Sequence, residues 1–225
     1  MIQTGDIHKC CGCYACASIC GHAAIKMNID PMGFAYPEVD VDKCVECGLC
    51  ERVCMFQRDD VIDSKLPFSA YAVRHKDLRE VETSRSGAAF IALSDWILDK
   101  GGAIYGAGYG EHFSIKHKRA VDVCSRNEFK GSKYAQSNVS IVFEDVERRL
   151  KDGVEVLFSG TPCQVHGLRL YLRRDYDNLI VVDVVCVGLY IYKNLHFTAA
   201  LYALYTIIAI FGWLNWKKLM KKQQA

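Results

Sequence analysis

Hydrophobic and polar positions divide most of the chain into short extended runs and amphipathic helices. Ala24-Ile-Lys-Met-Asn-Ile-Asp30 and Phe34-Ala-Tyr-Pro-Glu-Val39 are extended segments around a Pro31-Met-Gly33 turn, which predicts a hairpin. Gln57 to Pro67 is polar and mixed in charge, as expected of a linker, with a domain boundary near Ser64. Ala70-Tyr-Ala-Val73 predicts a short strand. From Gly87 to Lys100, Phe90, Leu93 and Ile97 recur at helical spacing, with Ser86 as the candidate cap and Gly101-Gly102 as the stop.

Ala103-Ile-Tyr-Gly-Ala-Gly-Tyr109 predicts a Gly-rich strand, and Phe113 to Val123 its hairpin partner. Val139 to Leu150 predicts a second amphipathic helix, with Val139, Val142, Phe143, Val146 and Leu150 inward and Lys151-Asp-Gly153 closing it. Val154 to Phe158 is a strand by pattern. Pro162 then suits the first turn of a helix running to about Leu172. Leu179 to Val185 is an apolar run of the buried-strand kind. Strands alternating with helices make the second part α/β.

Composition narrows the function. Aliphatic, aromatic and cysteine residues make up 51%, enough for a sizeable core. The net charge of +2 hides an asymmetry, because five lysines and no acid lie beyond Val187. The body before them carries 23 basic and 26 acidic side chains, which argues against nucleic-acid binding. Twelve cysteines without an apolar signal segment in Met1 to Lys9 point to a reducing, cytoplasmic setting.

Eight of those cysteines carry the chemistry. Cys10-x2-Cys13-x2-Cys16-x3-Cys20 and Cys44-x2-Cys47-x2-Cys50-x3-Cys54 are each the four-cysteine run of a two-cluster ferredoxin. Gly21 and Met55 replace the proline that usually follows. In this pattern three closely spaced thiolates hold one cube and the fourth ligates the other. The expected sets are Cys10, Cys13, Cys16 and Cys54 for one [4Fe–4S] cluster, and Cys44, Cys47, Cys50 and Cys20 for the second. A disulfide framework suits secreted proteins, and zinc would be satisfied by two pairs of cysteines. Cys11 is a spare cysteine, expected as a small packed residue beside the cluster.

Three polar, glycine-containing stretches are candidates for a phosphate-bearing cofactor: Ser84, Arg85, Ser86 and Gly87; Gly131, Ser132, Lys133, Tyr134 and Gln136; and Ser159, Gly160, Thr161, Pro162, Cys163 and Gln164. The first and third stand at predicted helix N-termini, where free N–H groups and the helix dipole favour a phosphate. Arg85 and Lys133 add charge. No catalytic residue is assigned. Cys163 and Cys186 are either redox-active or, as single buried cysteines more often are, packing residues; Cys124 is expected to be structural, and His75, His112, His117 and His166 are expected to make surface or ordinary polar contacts.

The ordered set of the doubled cysteine run, Gly33-Phe-Ala-Tyr-Pro37, Ser84-Arg-Ser-Gly87, Gly101-Gly102, Lys130-Gly-Ser-Lys-Tyr-Ala-Gln-Ser137, Phe158-Ser-Gly-Thr-Pro-Cys-Gln164 and Asp183-Val-Val-Cys186 resembles the coenzyme F420 hydrogenase/dehydrogenase beta-subunit family over about residues 1–188. The resemblance implies an iron–sulfur flavoprotein that uses FAD and exchanges electrons between its clusters and F420, a deazaflavin, or a nicotinamide-type molecule, with a redox partner protein. A flavin takes a hydride and releases single electrons, so it belongs between such molecules and a cluster. Val187-Gly-Leu-Tyr190 departs from the family's His-Gly-Val-Pro. The family's α/β domain also continues beyond this point, so only part of it is expected here. Two other readings are a ferredoxin-like carrier without flavin and a non-catalytic fusion.

Leu195 to Trp216 is 22 residues without a formal charge, long enough as a helix (~33 Å) to span a bilayer. Tyr190 and Tyr192 lie at one end, and Trp213, Trp216 and the lysine cluster at the other. Tyr192 to Tyr205, with Gly212-Trp213 and Trp216-Lys-Lys218, resembles the last helix of PnuC-type nicotinamide mononucleotide transporters. A join is expected near residues 187–192. A lone helix lacks the partners of a transport path, so transport is not expected, although membrane contact is. The expected fold is α+β: a ferredoxin-like domain holding two [4Fe–4S] clusters (1–63), a partial α/β flavin-binding-type domain (68–188), and a hydrophobic, transmembrane-type helix with a basic tail (190–225).

Overall fold

The computed structural model describes residues 2, 9–57, 71–84, 87–133 and 135–183, all within one compact unit spanning Met1–Val184. The cysteine runs frame helix α1 (Ala15–Ile19), strands β1 (Ile25–Ile29) and β2 (Ala35–Val39), and helix α2 (Leu49–Arg52). β1 and β2 pair antiparallel from Ile25↔Val39 to Ile29↔Ala35, giving the expected hairpin. Asp30 shapes its turn, its carboxylate accepting from the N–H groups of Met32 and Phe34.

The rest is an α/β sheet of order β4-β3-β5-β6, with β3 at Ala103–Tyr109, β4 at Ile115–Ala120, β5 at Val156–Gly160 and β6 at Leu179–Asp183. β3 and β4 form the expected antiparallel hairpin, while β3–β5 and β5–β6 run parallel. The glycines of β3 have a packing cause. A Cβ at Gly106 would lie 2.8 Å from the Phe129 ring. Helices α3 (Leu78–Ser84), α4 (Ala89–Asp99), α5 (Val123–Asn127), α6 (Val142–Lys151) and α7 (Pro162–Leu172) complete the described α-helices.

Alternation along the strands divides the core. Ile104 and Leu157 meet Ile97 of α4 and Phe129 on one face. Tyr105 and Phe158 meet Phe143 and Val146 of α6 and Leu168 of α7 on the other. Tyr14, Ala15, Ala35 and Val53 of the cysteine-bearing segment join this second face, so that segment is packed onto the sheet's helical layer. Burying a side chain such as Phe143, Phe158 or Leu168 stabilises the fold by about 1.5–3 kcal/mol.

The α6 face is the expected one, with Val139, Val142, Phe143, Val146 and Leu150 all buried. α4 differs. It buries Ile91, Ser94 and Ile97, while Leu93 lies partly in water, and Ala88 rather than Ser86 occupies its N-cap. Residues 71–75 form no strand, and Tyr71 and Val73 are exposed. β6 is half-buried at the sheet edge among the described residues, because no described strand covers its outer side. Residues 190–225, with the expected membrane helix, and Cys186 lie outside the described residues. Among those described, no helix is long and apolar enough to cross a membrane.

Candidate metal centre

The two cysteine runs share one backbone plan. In the first, Gly12 (φ 62°) and Tyr14 (φ 65°) are left-handed, two and four residues after Cys10. In the second, Glu46 (φ 54°) and Gly48 (φ 72°) are left-handed, two and four residues after Cys44. Each run thus reverses its curvature twice and then enters a short helix, α1 after Tyr14 and α2 after Gly48. Glycine carries one reversal without cost. The other, on Tyr14 and Glu46, costs about 1–2 kcal/mol each. Strain repeated at matching positions is characteristic of a backbone shaped for a ligand.

The result is two cavities. One, of about 530 Å³ including its open mouth, is lined by Cys10, Cys13, Cys16 and Cys54, with Cys11 beside them. The other, of about 390 Å³ including its mouth, is lined by Cys20, Cys44, Cys47 and Cys50. Each therefore has three cysteines of one run and the last cysteine of the other. Among the described residues no group of three His, Cys, Asp or Glu side chains is set to hold a single metal ion.

The thiols around the first cavity show what such packing costs. Burial pushes Cys16 far above its ordinary range and raises Cys10 and Cys54 as well, each also repelled by neighbouring sulfurs. Backbone N–H groups oppose this. Gly12 N–H points at Cys10 Sγ at 3.5 Å, and the N–H groups of Phe56 and Gln57 face Cys54. Cys13 is drawn down to about 7, chiefly by the hydrogen bond it receives from Cys11. Buried sulfurs with N–H donors suit thiolates neutralised by a cationic centre.

The α/β part reaches this centre through residues from two of the three cofactor stretches. Gln136 Nε2 donates to the carbonyls of Cys11 (3.2 Å) and Gly12 (3.3 Å), while its Oε1 accepts from Ala35 N–H (3.0 Å). Gln164 Nε2 donates to Ser137 Oγ (2.8 Å) and its Oε1 accepts from Thr161 N–H (3.1 Å). Thr161 caps α7, Pro162 follows, and Cys163 Sγ lies 3.1 Å from Thr161 Oγ1. Hydrogen bonds from Cys11 and Thr161 bring Cys163 down to about 6. Lys133 Nζ binds the carbonyls of Glu128, Lys130 and Gly131, which ties it to the end of α5.

The first stretch stands apart from these contacts. Ser84 Oγ is buried without a partner among the described residues, and Gly87 O accepts from His75 N–H (2.7 Å). Lys130 links α3 to the second stretch through Glu80 and Thr83. Arg85, Ser86 and Tyr134 lie outside the described residues. Ser132 is exposed, and neither cysteine cavity is lined by any of the twelve described cofactor candidates.

Of the two readings open for it, His117 shows ordinary polar contacts, made in a buried setting. Its Nε2 donates to Ser159 O (2.8 Å), its Nδ1 accepts from Ser137 Oγ (2.9 Å), and its ring stacks on Phe158. The partners lie on β5 and in the loop before α6, too distant in sequence to be read from spacing. Cys124, expected to be structural, is exposed on α5.

Comparison with known proteins yields two matches. Residues 9–57 match the family model of the 4Fe-4S dicluster domain, which identifies the cysteine-bearing segment as cluster-binding and supports an electron carrier. Residues 171–218 match that of the nicotinamide mononucleotide transporter, in line with the tail's resemblance. This second match begins upstream of the expected join, and residues 171–183 form the end of α7 and β6 here. No curated protein matches the chain.

Proposed function

We propose that the chain is an electron carrier holding two [4Fe–4S] clusters, one on Cys10, Cys13, Cys16 and Cys54, the other on Cys20, Cys44, Cys47 and Cys50. The observation that supports this assignment is the lining of each cavity by three cysteines of one run and the last of the other. A bound cluster supplies one-electron chemistry. The chain's own groups supply the setting: left-handed turns aim the sulfurs, N–H groups face them, and Ile2, Tyr14 and Val53 keep water from the first cavity. An electron carrier implies a redox partner protein. Anaerobic reconstitution with iron and sulfide tests the reading, with about eight irons and eight acid-labile sulfides per chain expected. A colourless, sulfide-free product contradicts it.

A finer reading is an oxidoreductase in which FAD links the clusters to F420 or a nicotinamide-type hydride carrier. The ordered motifs shared with the F420 hydrogenase/dehydrogenase beta subunits favour it, as does the unpartnered hydroxyl of Ser84. Lys133, Gln136 and Gln164 fit a flavin poorly, because they bond to the protein itself. No step is assigned to a flavin on this geometry. Flavin released from the denatured, purified protein supports the finer reading; full iron content without flavin leaves the carrier alone. Membrane contact through the tail is proposed from the transporter match and is tested by fractionating native membranes.

A further inference from the structure

The two cysteine loops share a backbone plan but not a setting. From Cys10 to Cys20 no residue is exposed. Gln136 holds the carbonyls of Cys11 and Gly12, and α7 stands so close that a Cβ on Gly167 would lie 3.2 Å from Cys13 Sγ. Among the described lining of the first cavity, the exposed residues are Lys9 and Phe56, which lie outside the cysteine loops. The second loop is the reverse. From Val41 to Cys47 every residue except Cys44 is exposed, and Cys47 is the one exposed cysteine of the eight. Val41 and Val45 are 68% and 58% exposed, and Val45, Glu46 and Cys47 line the second cavity. Lys43 is paired with Asp40, so its charge is offset. Asp42 and Glu46 have no ion-pair partner among the described residues, which leaves the loop acidic.

On the cluster assignment proposed above, on which this surface depends, we infer that residues 40–47 are the docking face for the redox partner, with electrons crossing to it through the second cluster. Electron transfer weakens steeply with distance, so a partner must approach the cluster that stands nearer water. The first loop is covered by Gln136 and α7, and the second is open. Val41 and Val45, on either side of Cys44, supply apolar area that docking removes from water. Asp42 and Glu46 set the sign of the partner. They draw a positive rim and repel a negative one, which speeds and orients encounter more than it tightens binding. The partner is therefore a redox protein with a basic rim around its own centre. In the exchange one electron leaves the reduced second cluster and reduces the partner's oxidised centre by one; no bond forms or breaks, and no proton moves. The first cluster, enclosed against α7, is the inner member of the pair.

Oxidised cytochrome c, a strongly basic haem protein, serves as the probe. It is mixed with the reconstituted full-length protein, a carbodiimide joins touching carboxylates and lysines, and peptide mass spectrometry maps the joined acids. The cross-links are expected on Asp42 and Glu46, in preference to Asp152 and Asp177, exposed acids of the α/β part. With the protein reduced, the rate of cytochrome c reduction is expected to fall steeply with salt, and by about three- to tenfold at low salt when Asp42→Asn is combined with Glu46→Gln. Cross-links chiefly on acids outside residues 40–47, or a double variant that matches the wild-type rate, with about eight irons in both proteins, overturn the docking face but not the cluster reading. Wild-type protein that takes up no iron contradicts the cluster reading, and this face with it. Should the double variant lose iron, the wild-type map decides.

Discussion

Gln136 Nε2 lies 3.2 Å from the carbonyl oxygen of Cys11, and this bond joins the α/β sheet to the first cysteine loop. The same side chain also bonds Gly12 and Ala35, so one glutamine ties the loop before α1 to β2. Gln136→Ala removes all three bonds and leaves partly buried backbone groups unpaired, at a cost of about 1–3 kcal/mol. Urea unfolding is expected to show that loss, and a chelator is expected to bleach the first cluster faster than the second. Equal bleaching rates would place Gln136 outside the support of the site.

Gly167 is a contact point rather than a defect in α7. Helix propensity alone favours Gly→Ala by about 1 kcal/mol. Here the added Cβ would stand 3.2 Å from both Cβ and Sγ of Cys13. The propensity gain is therefore expected to be largely offset in Gly167→Ala, and the larger Gly167→Val is expected to change the paramagnetic spectrum of the first reduced cluster alone. A stabilised Gly167→Val with unchanged spectra would contradict this packing.

The left-handed residues give a stability prediction of opposite sign. Glu46 is exposed and holds φ 54° without glycine's freedom. Glu46→Gly relieves about 1–2 kcal/mol of backbone strain and returns part of it through the looser unfolded chain. A net gain of about 0.5–1 kcal/mol is expected in denaturant unfolding. Gly12→Ala is expected to be strongly destabilising, because its Cβ would meet the Gln136 amide and stand 2.7 Å from Ala35 O.

His117 makes stability depend on pH. Burial holds it down to about 4, against an ordinary value of 6.5, with the Ser159 carbonyl bond opposing the shift. Between those values the unfolded chain binds a proton that the folded chain does not. The contribution is therefore complete above about pH 6.5 and is lost as pH falls toward 4, about 3 kcal/mol in all. Unfolding of wild type and His117→Gln between pH 7 and 5 checks this, with the wild-type curve expected to fall more steeply. Parallel curves would contradict it.

Local features of this fold were legible in the sequence. The β1–β2 hairpin follows from its Pro/Gly turn, the α6 face from Val139, Val142, Phe143, Val146 and Leu150, and the start of α7 from Pro162. α3 escaped because it buries no residue and so has no apolar face to read, and α5 because it is five residues long. The Ala70–Val73 pattern suggested a strand, but Tyr71 and Val73 have no sheet to join and face water. The long-range bonds were invisible. Nothing near Gln136 signals that it grips Cys11, and nothing near His117 signals that Ser137 and Ser159 enclose it. The first contact arises only when the sheet and the cysteine-bearing segment share one core, and the second only when β4, β5 and the loop before α6 come together.

The division of the eight thiols is tested most directly by iron and sulfide content in two paired variants. Cys10→Ser with Cys54→Ser damages one cavity and spares the other, so about four irons per chain are expected to remain. Cys10→Ser with Cys20→Ser damages both, and almost no iron is expected. The reverse outcome, about four irons in the second pair and almost none in the first, would contradict the crossed assignment.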